Sequence, residues 1–588
     1  MKQLILSDSR YFNLGYDPNQ ATYLGEWCLT TDTEYNVSID RILKSPYESM
    51  DDVLNAANYV QGYTVRIIDQ LIPILNSHFN LTLSEKFWKV YLSPSLINIL
   101  GLFYDRYLNI IKLKKVKEKL KVKVLDCSND FKIIEKDIFY QKFLKLEGNL
   151  LLFSIILKEL KLSNLDLELI DLNRNEGLAE LTGITFNRDQ VISIESNFLQ
   201  SLQRKIFLNP SVYIGTVYGL TKLEKIYFLF RILGKGKYLI NILKNIFTET
   251  SWIQKFDFLG SELRNLEASN EFEKIVNKYI HCFLPIPSLE TIKAFRRFTP
   301  KIWIGTDIYN NSDIELALTK ESGGKWINLQ HGGGYGALQS LPQTFHEYTL
   351  ADNFLTWGWE YHHIQKYSKQ KNIPKSPMLS KVKNIGVSLF KSKIILISTD
   401  HYKCFYKLQS ALRTDQHTLY QKMKLNFFDT LDTRIKKSFV YRPYPIKYSN
   451  QVEPLLRASV QVDRKTYKNQ TDLYKNYKLV VVDHLATSHL ISIAMDIPTI
   501  IYFDPNMFGL CKEVIPYYED LKKQGIVFHS PKEAAEKVNE VFDNVEQWWN
   551  DTKRQEALNK FRKVQCDSEF DWKKNWIKYL KDEVSKII

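Results

Sequence analysis

The sequence predicts an α/β protein made of two Rossmann-like, doubly wound domains facing a cleft, with helical insertions in the N-terminal half. Three observations carry that prediction. From about residue 385 onward, short apolar runs alternate regularly with helical stretches, the pattern of a parallel sheet covered on both faces. At 588 residues the chain is too long for a single core, and a composition 44% hydrophobic and 13% aromatic can bury two or three. In the first half, the strand-like run Trp326-Ile327-Asn328-Leu329 feeds directly into Gln330-His331-Gly332-Gly333-Gly334-Tyr335-Gly336, a strand end followed by a glycine loop.

Residues 2–6 read as an opening strand, 50–75 and 96–113 carry helical periodicity, and 122–125 form a further strand. Residues 205–247 are basic and aromatic, with Lys222, Lys225, Arg231, Lys235, Lys237 and Lys244 among Ile, Leu, Phe and Tyr. Such a segment either lies on an anionic membrane surface or packs as a helical hairpin on the core. A strand at 301–305, a helix at 313–321 and a strand at 325–329 lead to the glycine loop. The stretch 369–383 has two prolines, many lysines and no periodicity. The interdomain linker is therefore set at 371–384, after a first domain at 1–370 and before a second at 385–545.

In the second domain, 393–398 reads as a strand, 418–435 as a helix, and 438–442 as a strand ending in Arg442-Pro443-Tyr444-Pro445. Residues 479–483 form a strand entering Asp483-His484-Leu485-Ala486-Thr487-Ser488 and a helix to Asp496. A strand at 498–503, a helix at 513–523 and a strand at 525–528 complete the alternation, and 546–588 is helical, crossing back to the first domain. This order of parts suggests, by fold analogy, a two-domain nucleotide-sugar transferase of the GT-B type, with 1–370 as the acceptor-side domain and 385–545 as the nucleotide-sugar-binding domain across the cleft.

The formal net charge of +14 calls for acidic partners: nucleotide phosphates, or an anionic membrane surface. The chain shows no zinc finger, no RNP-like motif and no helix-turn-helix with a basic second helix, so nucleic acid is not an expected partner. Six cysteines, far apart and without a C-x-x-C pair, read as reduced and structural. No apolar run approaches the length of a spanning helix, and the start is too short an apolar run for a secretory leader. The expected location is the cytoplasm, at the inner face of the membrane if the basic segment engages lipid.

Transfer of a sugar needs a base for the acceptor hydroxyl and positive or dipolar groups for the departing phosphate. His331 at the strand end is the first candidate base, because imidazole titrates near neutrality. Glu347 is its orienter or its rival. Gly332 and Gly333 supply a loop whose backbone can approach a phosphate. Arg442 offers a bidentate fork to the donor phosphate, His484 stands at the next strand end, and Thr487 and Ser488 open a helix whose amides can face the same phosphate. Glu26, beside Trp27, and His346 are candidates for the acceptor side. No second D-x-D pattern stands at a strand end, so no metal is expected and no cofactor is called for. Trp27, Trp357, Trp359, Trp548 and Trp549 read as packing residues.

The run Tyr23-Leu24-Gly25-Glu26-Trp27-Cys28, the glycine loop, the pair His346-Glu347, the run Leu355-Thr356-Trp357-Gly358-Trp359 and the pair Trp548-Trp549 resemble the transferases found in spirochaete O-antigen gene clusters, over nearly the whole chain. More distantly, the chain is similar to capsule transferases, Kdo transferases and polyglycerolphosphate polymerases. The capsule transferases and polyglycerolphosphate polymerases share a His-Gly pair at a first-domain strand end and a Thr/Ser-rich turn before a second-domain helix. The resemblance implies a GT-B-like glycosyltransferase of surface polysaccharide, passing a sugar from a nucleotide-activated donor to a glycan or lipid-linked acceptor. One departure stands out: where many GT-B enzymes carry a glutamate seven residues before a strand-initiating proline, this chain has Ile491. Its absence points away from common UDP- and GDP-hexoses and toward a CMP-linked acidic sugar. A non-catalytic nucleotide- or glycan-binding protein and a CDP-alcohol phosphotransferase use the same loops and stay open.

Overall fold

A computed structural model describes residues 2–7, 16–17, 20–29, 37–126, 146–171, 194–195, 212–234, 253–254, 256–257, 261–284, 286–296, 299–306, 313–361, 374–383, 392–400, 407–444, 455, 458–467 and 470–586. The molecule is α/β, and its three main sheets are wholly parallel.

The first sheet has β1 (Lys2–Ile5), β2 (Ala21–Tyr23), β3 (Leu120–Asp126) and β4 (Leu165–Asp171) in the order β2-β1-β3-β4. Its companions are the long helices α1 (Met50–Phe79) and α2 (Glu85–Ile111), together with α3 (Leu146–Leu160). α1 opens with a capping box: Ser49 accepts from the Asp52 N–H while the Asp52 carboxylate accepts from the Ser49 N–H. It closes on Asn80 in the left-handed conformation, φ 51°. α2 starts eleven residues before the periodic stretch that predicted it. Pro94 lies inside it, and residues 92–103 are buried on every side, so the segment has no polar stripe to mark its phase.

A second sheet, β5 (Val212–Ile214), β6 (Ile302–Ile304), β7 (Lys325–Leu329) and β8 (Asn353–Leu355), runs in the order β8-β7-β6-β5. The first half thus holds two parallel sheets. They share a core in which α2 packs against α5 (Asp313–Glu321) and α6 (Pro342–Leu350).

The third sheet contains β9 (Ile394–Ile397), β10 (Phe439–Arg442), β11 (Gln461–Val462), β12 (Leu479–Val482), β13 (Thr499–Tyr502) and β14 (Val527–Phe528). Its order is β11-β10-β9-β12-β13-β14. Counted along the chain this is 3-2-1-4-5-6, the doubly wound order, with its switch point between β9 and β12. Each of β9, β12 and β13 is four buried residues, as expected of strands covered on both faces. The helix expected at 418–435 is α8 (His417–Thr430). Leu431 then turns extended, and a separate short helix follows at Thr433–Lys436.

The stretch read as a linker contains a helix. Ser376 accepts from the Leu379 N–H to start α7 (Pro377–Val382), whose Leu379 and Val382 lie in the second domain's core. α9 (Thr487–Ala494) follows β12, and near the C-terminus come α10 (Thr552–Gln565) and α11 (Trp572–Ser585). α11 lies on the second sheet beside α4 (Lys222–Leu233), with Trp572, Trp576 and Leu580 packed among Val212, Ile304, Ile327 and Leu355. Asn353 donates to the Tyr579 hydroxyl at 2.9 Å, and Lys325 pairs with Glu583.

Of the basic segment at 205–247, α4 buries Phe228 and Leu229 while Leu223 and Tyr227 are exposed. Lys235, Lys237 and Lys244 lie outside the described residues. No described helix is long and apolar enough to cross a membrane.

Candidate active site

β7 ends at Leu329, so Gln330 and His331 sit at the carboxyl edge of the second sheet. Gln330 is buried and fixes the loop that follows. Its carbonyl oxygen accepts from the Trp357 N–H at 2.9 Å and the Trp359 indole N–H at 2.8 Å, and its amide donates to the Gly332 carbonyl at 2.9 Å. The Thr-Trp-Gly-Trp run is therefore a buried brace for the glycine loop. Gly336, at φ +68°, would place a Cβ 2.4 Å from the Trp359 ring, so glycine is required there both for its backbone and for space.

The loop returns Tyr335 to α6, where Glu347 is fully buried. Three polar groups meet. Glu347 Oε1 lies 3.2 Å from His331 Nε2, the Tyr335 hydroxyl donates to Glu347 Oε2 at 2.7 Å, and the same hydroxyl touches His331 Nε2. A buried carboxylate must be paired. Here the phenol and the imidazole do so, and in the tautomer that carries its proton on Nε2 the ring donates to this carboxylate. The His331 side chain retains 19% exposure, and Tyr218, itself 46% exposed, stacks on it with ring centroids 5.8 Å apart. The arrangement is an exposed-edge imidazole held by a buried carboxylate, with the phenol as a third member.

On the facing domain, the switch point between β9 and β12 is filled by a network. Asp483, fully buried, accepts from Ser398, from the Tyr420 hydroxyl at 2.6 Å and from His484 Nδ1 at 3.1 Å. Burial raises the Asp483 carboxyl, but His484 and the nearby Lys424 outweigh that and leave it below the ordinary value. Lys424 is buried between the Tyr420 and Tyr441 rings, 4.0 and 5.7 Å from their centroids. Its loss of solvent lowers the ammonium to about 8. Sequence reading missed Lys424, Tyr420 and Ser398.

The two halves meet here. The Gly333 N–H donates to Thr487 Oγ1 at 3.0 Å, and a Cβ on Gly333 would lie 2.4 Å from the Ala486 carbonyl oxygen. Thr487, the first residue of α9, reaches across to the glycine loop, and α9 has no side-chain cap. The glycine-loop histidine and the start of α9 are thereby brought together.

Other expected site residues are placed elsewhere. Arg442 donates through Nη1 to the carbonyls of Asp463 and Lys465, at 3.1 and 2.7 Å, and lies over the Tyr467 ring. It braces the end of the neighbouring strand instead of presenting an open fork. His484 is 3% exposed with its Nδ1 on Asp483, so it belongs to the network behind the cleft. His346 is fully buried on α6 and shows no surface to an acceptor. Ser488 accepts through its carbonyl from the Tyr474 hydroxyl at 3.2 Å. Glu26 accepts from the Thr418 N–H at 2.9 Å, where it meets the N-terminal turn of α8 from the opposite domain. Gly332 sits in the loop without a close steric neighbour. Among the described residues no cluster of three or more His, Cys, Asp and Glu side chains is arranged to hold a metal.

Several solved structures are similar to part of this chain. A variant of the wall teichoic acid polymerase TagF with CDPG is 11% identical, covering 51% of this chain and 75% of its own, at a TM-score of 0.31. MnaA of S. aureus with UDP is 10% identical over 50% and 79% of the two chains, at 0.30. An α,α-trehalose-phosphate synthase (UDP-forming) from Burkholderia vietnamiensis is 9% identical over 51% and 77%, at 0.29. No curated protein matches the chain. The family described as LIC12162 family transferase matches residues 8–580, and the chain belongs to that family.

Proposed function

We propose that this transferase is a glycosyltransferase of bacterial surface polysaccharide, moving a sugar from a nucleotide-activated donor to a glycan or lipid-linked acceptor without a metal. The observation that carries the reading is the His331, Glu347 and Tyr335 group, set by the Gly333–Thr487 contact against the switch point of the second domain. In this reaction His331 Nδ1 takes the proton of an acceptor hydroxyl while Glu347 stabilises the imidazolium that forms. The acceptor oxygen bonds to the donor's anomeric carbon, and the bond from that carbon to the phosphate oxygen breaks. The departing nucleotide keeps the electron pair, met by N–H groups of the glycine loop and of the start of α9.

Arg442 and His484 are hydrogen-bonded inside the second domain, so they can favour the CMP-linked acidic sugar through their field and not through an open fork. Ile491, buried in α9, is the other part of the case for cytidine. The test incubates the protein with CMP-, UDP- and GDP-sugars and a lipid-linked acceptor in EDTA and follows nucleotide release. Turnover is expected, with His331→Ala and Glu347→Gln each lowering it by about a hundredfold or more. Full activity in both variants would place the chemistry elsewhere. Thermal shift against CMP, CDP, UDP and GDP ranks the nucleotides separately: a ligand at 100 times its Kd adds about 2.7 kcal/mol.

A further inference from the structure

We propose that a cavity on the far side of the glycine loop is a subsite for a neutral sugar ring. The cavity measures about 260 Å³, at the low end of small-molecule pockets. It is closed by Gly336 and Tyr361 from the first half and by Cys511 from the second, with α1 and α6 as walls.

Its lining has two properties that suit a carbohydrate. It carries no charged side chain: the polar groups are the carboxamides of Asn58, Gln61 and Gln339 and the hydroxyls of Tyr and Thr residues, beside the apolar Leu338, Leu341 and Phe345. Carboxamides both donate and accept, matching vicinal hydroxyls, and aromatic faces take the C–H side of a pyranose. The hydroxyls of Thr344, Thr349 and Tyr361 donate to the carbonyls of Leu341, Phe345 and Gly336, but the other polar groups of the lining are uncommitted. Among the described residues the carboxamides of Asn58, Gln61 and Gln339 have no hydrogen-bond partner, and neither has the Tyr348 hydroxyl. The Tyr348 ring is held edge-on to Phe354, centroids 4.7 Å apart, and packs on Trp359 at 6.0 Å, so its hydroxyl is presented from a fixed ring.

The subsite is tied to the chemistry through its walls. Tyr348 follows Glu347 on α6, and the Tyr361 hydroxyl donates to the carbonyl of Gly336, the last residue of the glycine loop. An uncharged pocket beside the base suits the penultimate sugar of an acceptor chain and is unsuited to a nucleotide phosphate. This deepens the glycosyltransferase reading and rests on it only for naming the bound sugar an acceptor.

The test uses saturation-transfer NMR on the full chain with methyl glycosides of glucose, galactose, mannose and rhamnose, and with glucuronate as the anionic control. At least one neutral glycoside is expected to bind, glucuronate at least tenfold more weakly, and the signal is expected to vanish in Asn58→Ala/Gln61→Ala. The conservative Tyr348→Phe variant should weaken binding several-fold while leaving the melting temperature unchanged. Absence of binding by every neutral glycoside, preference for glucuronate, or undiminished binding in the double variant overturns the subsite. Nucleotide release that depends on His331 would survive such a failure. Conversely, glycoside binding in a protein without turnover would keep the subsite and reject the transferase chemistry.

Discussion

At the scale of single residues, the buried Glu347 is useful only in company. Removing its charge by Glu347→Gln should lower turnover about 10²–10⁴-fold, the range of general acid–base assistance, with acceptor KM changing little. Tyr335→Phe keeps the ring and removes the hydroxyl that supports Glu347, so a smaller loss, about tenfold, is expected in the same nucleotide-release measurement. Glu26 gives a pH signature. Burial raises its carboxyl from the ordinary 4.5 to about 7, against the lowering effect of the Thr418 N–H. Between those values the folded protein holds a proton that the unfolded chain has lost, so stability falls as pH rises from about 4.5 to 7. Denaturant titrations should show a loss of about 1–3 kcal/mol across that window, and Glu26→Gln should flatten it.

These residues also mark what the sequence made legible. The glycine loop and the pair with Glu347 were visible because both sit in an unusual local pattern. Tyr335 lies in the same loop, but its part depends on the chain folding back onto α6 twelve residues later. Arg442 and His484 show the converse. A place at a strand end puts a residue near the ligand edge, yet where its side chain turns is decided for Arg442 by Asp463 on the neighbouring strand, and for His484 by Asp483 just before it, itself held by Ser398 and Tyr420 through tertiary packing.

Among the elements, the contact of the glycine loop with α9 is the most exposed to substitution. An alanine at 333 meets backbone on both sides, the Ala486 carbonyl oxygen at 2.4 Å and the Thr487 nitrogen at 2.7 Å, so no flexible side chain can yield. Gly333→Ala should part the two halves at this point, enlarging the radius of gyration in small-angle scattering and reducing turnover more than tenfold. Thr487→Val removes the hydrogen bond but keeps the shape. It should cost about 0.5–1.5 kcal/mol in denaturant titrations and leave the scattering unchanged. Elements in the second domain followed their sequence pattern because each strand there is a short apolar run bounded by turns. The first half was harder: α2 is buried all round, and β4 and β5 are separated by a long stretch, so neither periodicity nor spacing showed that two sheets are present.

For the molecule as a whole, α11 fastens the end of the described chain to the first half. Trp576 is 1% exposed among the residues of the second sheet, and its indole N–H donates to the Lys375 carbonyl at 2.9 Å. Trp576→Ala should cost about 3–5 kcal/mol, read by chemical denaturation and concentrated in the part of the molecule that holds β5 to β8.

The same crossing has a consequence for synthesis. The apolar face that Val212, Ile304, Ile327 and Leu355 present to α11 is complete once Leu355 has been made, yet its cover is translated only from Trp572 onward. At about 5–20 residues per second the nascent chain carries that sticky surface for roughly 10–40 s. During this interval a chaperone is the natural substitute for the missing helix, and a ribosome stalled before Trp572 would release a product prone to aggregate.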